Sequence, residues 1–218
     1  MTTQGGVTFA TPHGAVALLR FVPGTPLTTG SPAEQRMMAT TLAEVHAAEP
    51  STITAPFMAD LLELVQDMEP WVRPAVTAAL TDLAGLPPLT WGVLHADPVM
   101  DAFLYDDSTG QLGLIDWTAA THGPVLYDVA SAVMYLGGPA RAGTFWTVYC
   151  DRSPAPVDEL TDYIEPFHRF RGAVQAAYFS FRVATSDLTG LTDQQENWKG
   201  LRDAQRMLTG HGMVLDRI

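Results

Sequence analysis

The chain has 218 residues, enough for one domain or one large lobe, and an apolar share of 47%, ordinary for a protein with a packed core. Twenty-four acidic residues against twelve basic ones leave a formal charge of −12, a field that repels nucleic acid and anionic membranes. No apolar run reaches the ~18 residues a membrane-spanning helix needs, and the start MTTQGGVTF lacks a basic segment followed by an apolar one. The single cysteine, Cys150, cannot form an internal disulfide and is expected to be a small buried residue in a cytoplasmic protein. Among the basic residues the one lysine is Lys199.

The first expected element is a hairpin, with β-rich runs at Val7 to Ala10 and Ala15 to Val22 around the turn-forming TPHG. VPGTPLTTG reads as a linker. Ser31, Pro32 and Glu34 then form a helix start: an N-cap serine, proline at the first helical position, and a glutamate three residues after the cap. Met38, Leu42 and Val45 give that helix an apolar face. Further helices are expected over 56–68 and 73–84. TWGVLHAD and QLGLIDW are β-like runs joined by an irregular loop, and 125–136 is helical again. A long amphipathic helix begins at EPFHRF, with Phe170, Val174, Ala177 and Phe181 as its apolar stripe, and a last helix covers 194–208. The fold class is α+β and mostly helical, with a β-lined site in the middle.

The stretch VLHADPVMDAFLYDDSTGQLGLIDWTAATHGPVLYDVASAV, from Val93 onward, resembles the catalytic segment of the aminoglycoside phosphotransferase and choline kinase-like family, which shares the protein-kinase fold. That family reads L-x-H-G-D-x-x-x-x-N-x-L, then G-x-I-D-W/F, then G-P-x-x-x-D-x-A. AVALLRFVPGTPL is similar to its last N-lobe strand and hinge, and LAEVHAA to its first large C-lobe helix. The resemblance implies an N-lobe remnant and hinge over 1–24 and a helical C-lobe over 25–218. It places Asp97 at the attacking hydroxyl and Asp116 at a magnesium that bridges ATP phosphates. His95 would brace the loop, and Asp128 would hold its backbone.

Departures from the family pattern shape the functional expectation. The family's metal-ligating asparagine corresponds to Ala102, which has no ligating atom; the neighbouring Asp101 starts from a different direction. QGG at 4–6 lacks the flanks of a phosphate-covering loop, no lysine precedes Asp97, and Arg20, the cation on the hinge strand, is expected to face solvent. Loss of one preorganised charge contact commonly costs ~3–4 kcal/mol, or ~10²–10³ in rate. Autonomous ATP-dependent transfer is therefore not expected.

Three readings follow. The first is a non-catalytic relative whose cleft binds a small-molecule or peptide substrate, with a second copy or a partner protein covering the open side. The second is repurposed acid–base chemistry on Asp97, Asp101, Asp116 and His122 without a nucleotide, suited to bacterial secondary metabolism. The third is a small-molecule or peptide kinase completed by a second chain. Magnesium and ATP enter only in the third; otherwise no cofactor is expected. On the long helix His168, Arg169 and Arg171 stand as candidates to hold an acidic group of the substrate, against a solvated basic face. No Cys/His set has zinc spacing.

Overall fold

The computed structural model describes residues 8–209 except 13, 18, 19, 54, 56, 67 and 68, with only the backbone described at 8–11 and 14–17. Strands β1 (Thr8–Thr11) and β2 (Gly14–Ala17) pair antiparallel, closing the expected hairpin at Thr11 and Gly14. Val7, His13 and the QGG segment lie outside the described residues, as do Leu18 and Leu19 of the expected second strand. Arg20 is exposed, and Phe21 is 85% exposed.

Part of the expected linker is a strand. β3 (Thr25–Pro26) pairs antiparallel with β6 (Phe103–Asp106), which pairs with β7 (Gln111–Leu114). Gly24 makes this possible: it sits at φ 129, where a Cβ would lie 2.8 Å from the Tyr105 carbonyl carbon. A second three-stranded sheet joins β4 (Ser51–Ile53), β5 (Leu89–Leu94) and β8 (Thr121–Pro124), all antiparallel.

Helix α1 (Pro32–His46) starts as expected. Ser31 accepts from the Glu34 amide at 3.4 Å, and Glu34 accepts from the Ser31 amide at 3.3 Å, a reciprocal capping box. Burial pushes the Glu34 pKa up, but hydrogen bonds from Thr29, Thr28 and Ser31 outweigh it and hold the carboxyl below its ordinary value. Ser31→Ala is expected to cost about 1 kcal/mol, read as a lower urea midpoint at unchanged slope. The buried face is Gln35, Met38, Ala39, Leu42, Ala43 and His46, with Val45 only half-buried.

The helix expected over 56–68 shrinks to α2 (Leu61–Leu64). Met58 at φ 51 breaks the helical path before it, and Val65 is extended after it. The following helix is as expected, α3 (Val72–Ala84). Helix α4 (Leu126–Tyr135) also matches, whereas α5 (Gly143–Arg152) has no counterpart among the expected elements. Helix α6 (Val157–Thr185) begins well before EPFHRF, because Pro166 sits inside it instead of starting it. Its stripe is also wider than expected. Phe170 and Ala177 are buried but Phe181 is 37% exposed, while Arg171, Ser180 and Arg182 face inward. The reason is that α6 packs against α3, α4 and α7 (Gln194–Thr209) at once, so no single stripe is its interior.

The core joins α6, α1 and α4 to β5, β6 and α5: Met38, Leu42, Leu94, Phe103, Leu126, Tyr127, Phe145, Phe167 and Phe170 are all essentially inaccessible. Cys150 is half-buried, and burial pushes its thiol up to about 11. No described helix is long and apolar enough to cross a membrane.

Candidate functional site

The site grows out of the end of β5. The strand runs out at Leu94, and the chain turns through His95 and Ala96 to Asp97. Ala96 is 4% exposed and takes φ 69, the left-handed region that disfavours a Cβ by ~1–2 kcal/mol. What holds it there is Asp128, in the first turn of α4 and wholly buried. One Asp128 oxygen accepts from the Ala96 amide at 2.8 Å; the other accepts from the His95 amide at 2.7 Å and faces His46 Nε2 at 3.1 Å. His46 Nδ1 lies 2.6 Å from the Tyr149 hydroxyl. Burial pushes the Tyr149 phenol far above its ordinary value, so it stays a hydroxyl and donates to Nδ1, leaving Nε2–H for Asp128. Both Asp128 oxygens thus meet donors, as buried polar atoms require.

The same turn is tied to the strand end that carries Asp116. His95, 1% exposed, donates from Nε2 to the Ile115 carbonyl at 2.7 Å. The Ile115 amide in turn donates to the Ala102 carbonyl at 2.9 Å. His95 Nδ1 is buried with no hydrogen-bond partner among the described residues. The His95 ring also meets the Trp117 ring edge-on at 5.0 Å. Asp116 is exposed, sits at φ 62 and ψ 57, and accepts from the Thr118 hydroxyl at 2.7 Å. The loop bearing Asp97 and the turn bearing Asp116 are therefore laced side by side.

Asp97 itself is half-exposed, and one of its oxygens is already engaged. Oδ1 accepts from the Tyr135 hydroxyl and from Arg171 Nη2, the latter at 3.2 Å. Arg171 Nη2 also reaches the Tyr135 oxygen at 2.9 Å, and its guanidinium lies over the rings of Tyr127 and Tyr135. With its amide turned to satisfy both ends, Gln175 accepts from Arg171 at 3.1 and 3.3 Å. Burial pushes the Tyr135 phenol far above its ordinary value, so it remains a donor. Burial works against the Arg171 charge, but Tyr127, Tyr135 and Asp97 outweigh it and raise its pKa.

Of the remaining expected residues, Arg171 alone is drawn into this cluster. Arg171 is neither a solvated residue nor one aimed at a substrate acid: it is 5% exposed and turned onto Asp97. Arg169 pairs with Asp82 at the surface at 3.3 Å, and His168 is buried, 3.9 Å from Glu165. Asp101 lies exposed on a 3-10 turn, Met100–Ala102, with no hydrogen bond among the described residues. Ala102 is 3% exposed, so its side chain faces the body and not the cleft. His122, an acid–base candidate in the sequence, is in strand β8 opposite Val93, its ring 5.7 Å from that of Trp91. THGP pairs because it runs antiparallel to β5, with Gly123 accepting the close approach of Phe57. A separate apolar cavity of about 360 Å³ lies on that sheet, lined by Phe57, Leu83, Trp91, Pro124 and Phe167 among others, and includes neither Asp97 nor Asp116. Sequence reasoning misses Tyr135, His46 and Tyr149. The signals available for two of them are positional: His46 stands in LAEVHAA, and Tyr135 lies on the same helix as Asp128.

A family model described as the phosphotransferase enzyme family matches residues 6–179. The chain belongs to this family. No protein of curated function matches the sequence. Solved structures share its fold. Choline kinase LicA from Streptococcus pneumoniae is 17% identical with a TM-score of 0.66, covering 94% of this chain and 74% of its own. Amicoumacin kinase hAmiN, solved with AMP-PNP, Ca2+ and Ami, is 14% identical with a TM-score of 0.68, covering 96% of this chain and 71% of its own. The GDP complex of aminoglycoside 2'-phosphotransferase-IIIa is 18% identical with a TM-score of 0.63, covering 91% and 73%.

In this phosphotransferase-family chain the position that the resemblance gives to magnesium offers one carboxylate, Asp116, with Ala102 in place of the second protein ligand. Among the described residues no group of three or more His, Cys, Asp or Glu is placed to hold one. Ala102 contributes no oxygen, and one oxygen of Asp116 already accepts from Thr118. Magnesium is usually held by one or two carboxylates together with substrate phosphates and waters, so a metal here would rest on Asp116 and on the oxygens of its ligand.

Proposed function

We propose that this chain forms the acceptor side of a phosphotransferase-family cleft, binding a small molecule or a peptide at Asp97 and Asp116, and that these 218 residues alone do not turn over ATP. The observation that carries the second half is Ala102. Its buried methyl stands where the family pattern has a metal-ligating amide, and loss of one such preorganised contact commonly costs ~10²–10³ in rate. The first half rests on Asp97. It keeps one oxygen free toward solvent beside the turn that bears Asp116, as a hydroxyl-bearing ligand requires. The kinases among its structural neighbours support a cleft of this kind.

On this reading a second chain, either another copy or a partner protein, covers the open side near Phe21, which leaves 85% of its surface in water. The setting we propose is cytoplasmic bacterial secondary metabolism. The alternative is ATP-dependent transfer to a small molecule or peptide, completed by that second chain; the exposure of Asp116 beside the Asp97 loop favours it over nucleotide-free acid–base chemistry, since Asp101 and His122 have no bond to either carboxylate.

Calorimetry and thermal shift decide the main point. Magnesium with ATP is expected to raise the melting temperature of the purified chain no more than magnesium alone, with no ADP formed. Tight magnesium-dependent retention of ATP accompanied by turnover overturns the proposal.

A further inference from the structure

Asp97 is held from behind by groups that take no part in the family pattern. Tyr135, at the last turn of α4, and Arg171, in the middle of α6, both donate to the same oxygen, Oδ1. Two donors converging on one carboxylate oxygen fix the side-chain rotation, because a turn about the Cβ–Cγ bond breaks both bonds together. The second oxygen, Oδ2, has no hydrogen bond within the described protein and lies on the side of Asp97 that reaches solvent. Arg171 is itself fixed. It is only 5% exposed, its guanidinium lies against two tyrosine rings, and Nη2 bridges Tyr135 and Asp97. Such a guanidinium does not swing out to meet a ligand.

We propose that Arg171 and Tyr135 are positioning residues that clamp Asp97 by Oδ1 and so present Oδ2 as the one acceptor facing a ligand hydroxyl. The clamp also matches charge: the Asp97 carboxylate and the Arg171 guanidinium cancel, so the free oxygen meets a neutral hydroxyl without an uncompensated buried charge behind it. Tyr135 adds direction, since its hydroxyl both accepts from Arg171 and donates to Asp97. This inference rests on the reading of Asp97 as the acceptor-side residue, but its test uses neither ATP nor acceptor, so the two fail separately.

The test combines a double-mutant cycle with crystal structures of the variants. Arg171→Met and Asp97→Asn, singly and together in the full chain, are expected to show coupling of about tenfold or more in the unfolding equilibrium constant. Tyr135→Phe keeps the ring over Arg171 and removes only the hydroxyl. In its structure, and in that of Arg171→Met, Asp97 is expected in more than one rotamer, against one in the wild type; a merely structural role for either residue does not move Asp97. Additive effects in the cycle, or an Asp97 that holds its orientation in both variants, overturn the clamp. Should Arg171→Met fail to fold, Arg171→Lys in the same cycle and Tyr135→Phe alone still decide it.

Discussion

Asp128→Ala is expected to destabilise the chain by about 4 kcal/mol, more than any other single change at the site, because it strands several buried donors at once. The carboxylate is inaccessible and serves three donors: the amides of His95 and Ala96 and Nε2 of His46. A buried donor left without a partner costs ~1–3 kcal/mol, and two of these three are backbone groups that cannot turn elsewhere. The methyl group also leaves space where a carboxylate was, in a core that does not refill easily. Asp128→Asn separates the terms. It keeps the volume and one oxygen but aims an amide NH2 at a donor, so it is expected to recover less than half of the loss. Urea unfolding checks both, with an unchanged slope as the sign that the native state remains intact. The effect reaches the site because Ala96 stays at φ 69 only under that grip. Released, the turn relaxes, and Asp97, the next residue, loses its place beside Asp116.

This dependence explains which parts of the site are legible in the sequence. His95, Asp97, Asp116 and Asp128 lie in one segment in family order, and the structure laces them together through Ile115 and two backbone amides. Local signals work equally well for α1, where Ser31 and Glu34 cap each other, and for α7. What escapes is nonlocal. Arg171 lies far along the chain from Asp97, and nothing in FHRFRG distinguishes an arginine bound for the core from one bound for water; only the packing of α6 against α4 makes the choice. Tyr135 and Tyr149 escape for the same reason, since a tyrosine hydroxyl in an apolar helix shows its partner only once that partner is beside it. The strand at THGP is hidden by its turn-forming residues, which pair because β5 supplies an antiparallel edge.

Gly92→Ala is expected to cost about 2–3 kcal/mol, the upper part of the range for overpacking a filled core. A Cβ at Gly92 would sit 2.8 Å from the His46 carbonyl oxygen and 3.4 Å from Val125 Cγ1. The nearest obstacle is backbone, at the C-terminal end of α1, and cannot rotate aside as a side chain does. Either β5 or the end of α1 must move, and both positions matter, since the His46 ring bonds Asp128 and β5 leads into His95. Gly110→Ala is the control: it sits at φ 69 with nothing within 4 Å, so it bears only the left-handed backbone penalty of ~1–2 kcal/mol. Hydrogen exchange distinguishes the two beyond their global stabilities. Gly92→Ala is expected to lower protection of the His95 and Ala96 amides, from which Asp128 accepts, whereas Gly110→Ala leaves their protection tracking global stability. Equal behaviour of those amides in both variants means that the approach of β5 to α1 does not support the turn that carries Asp97.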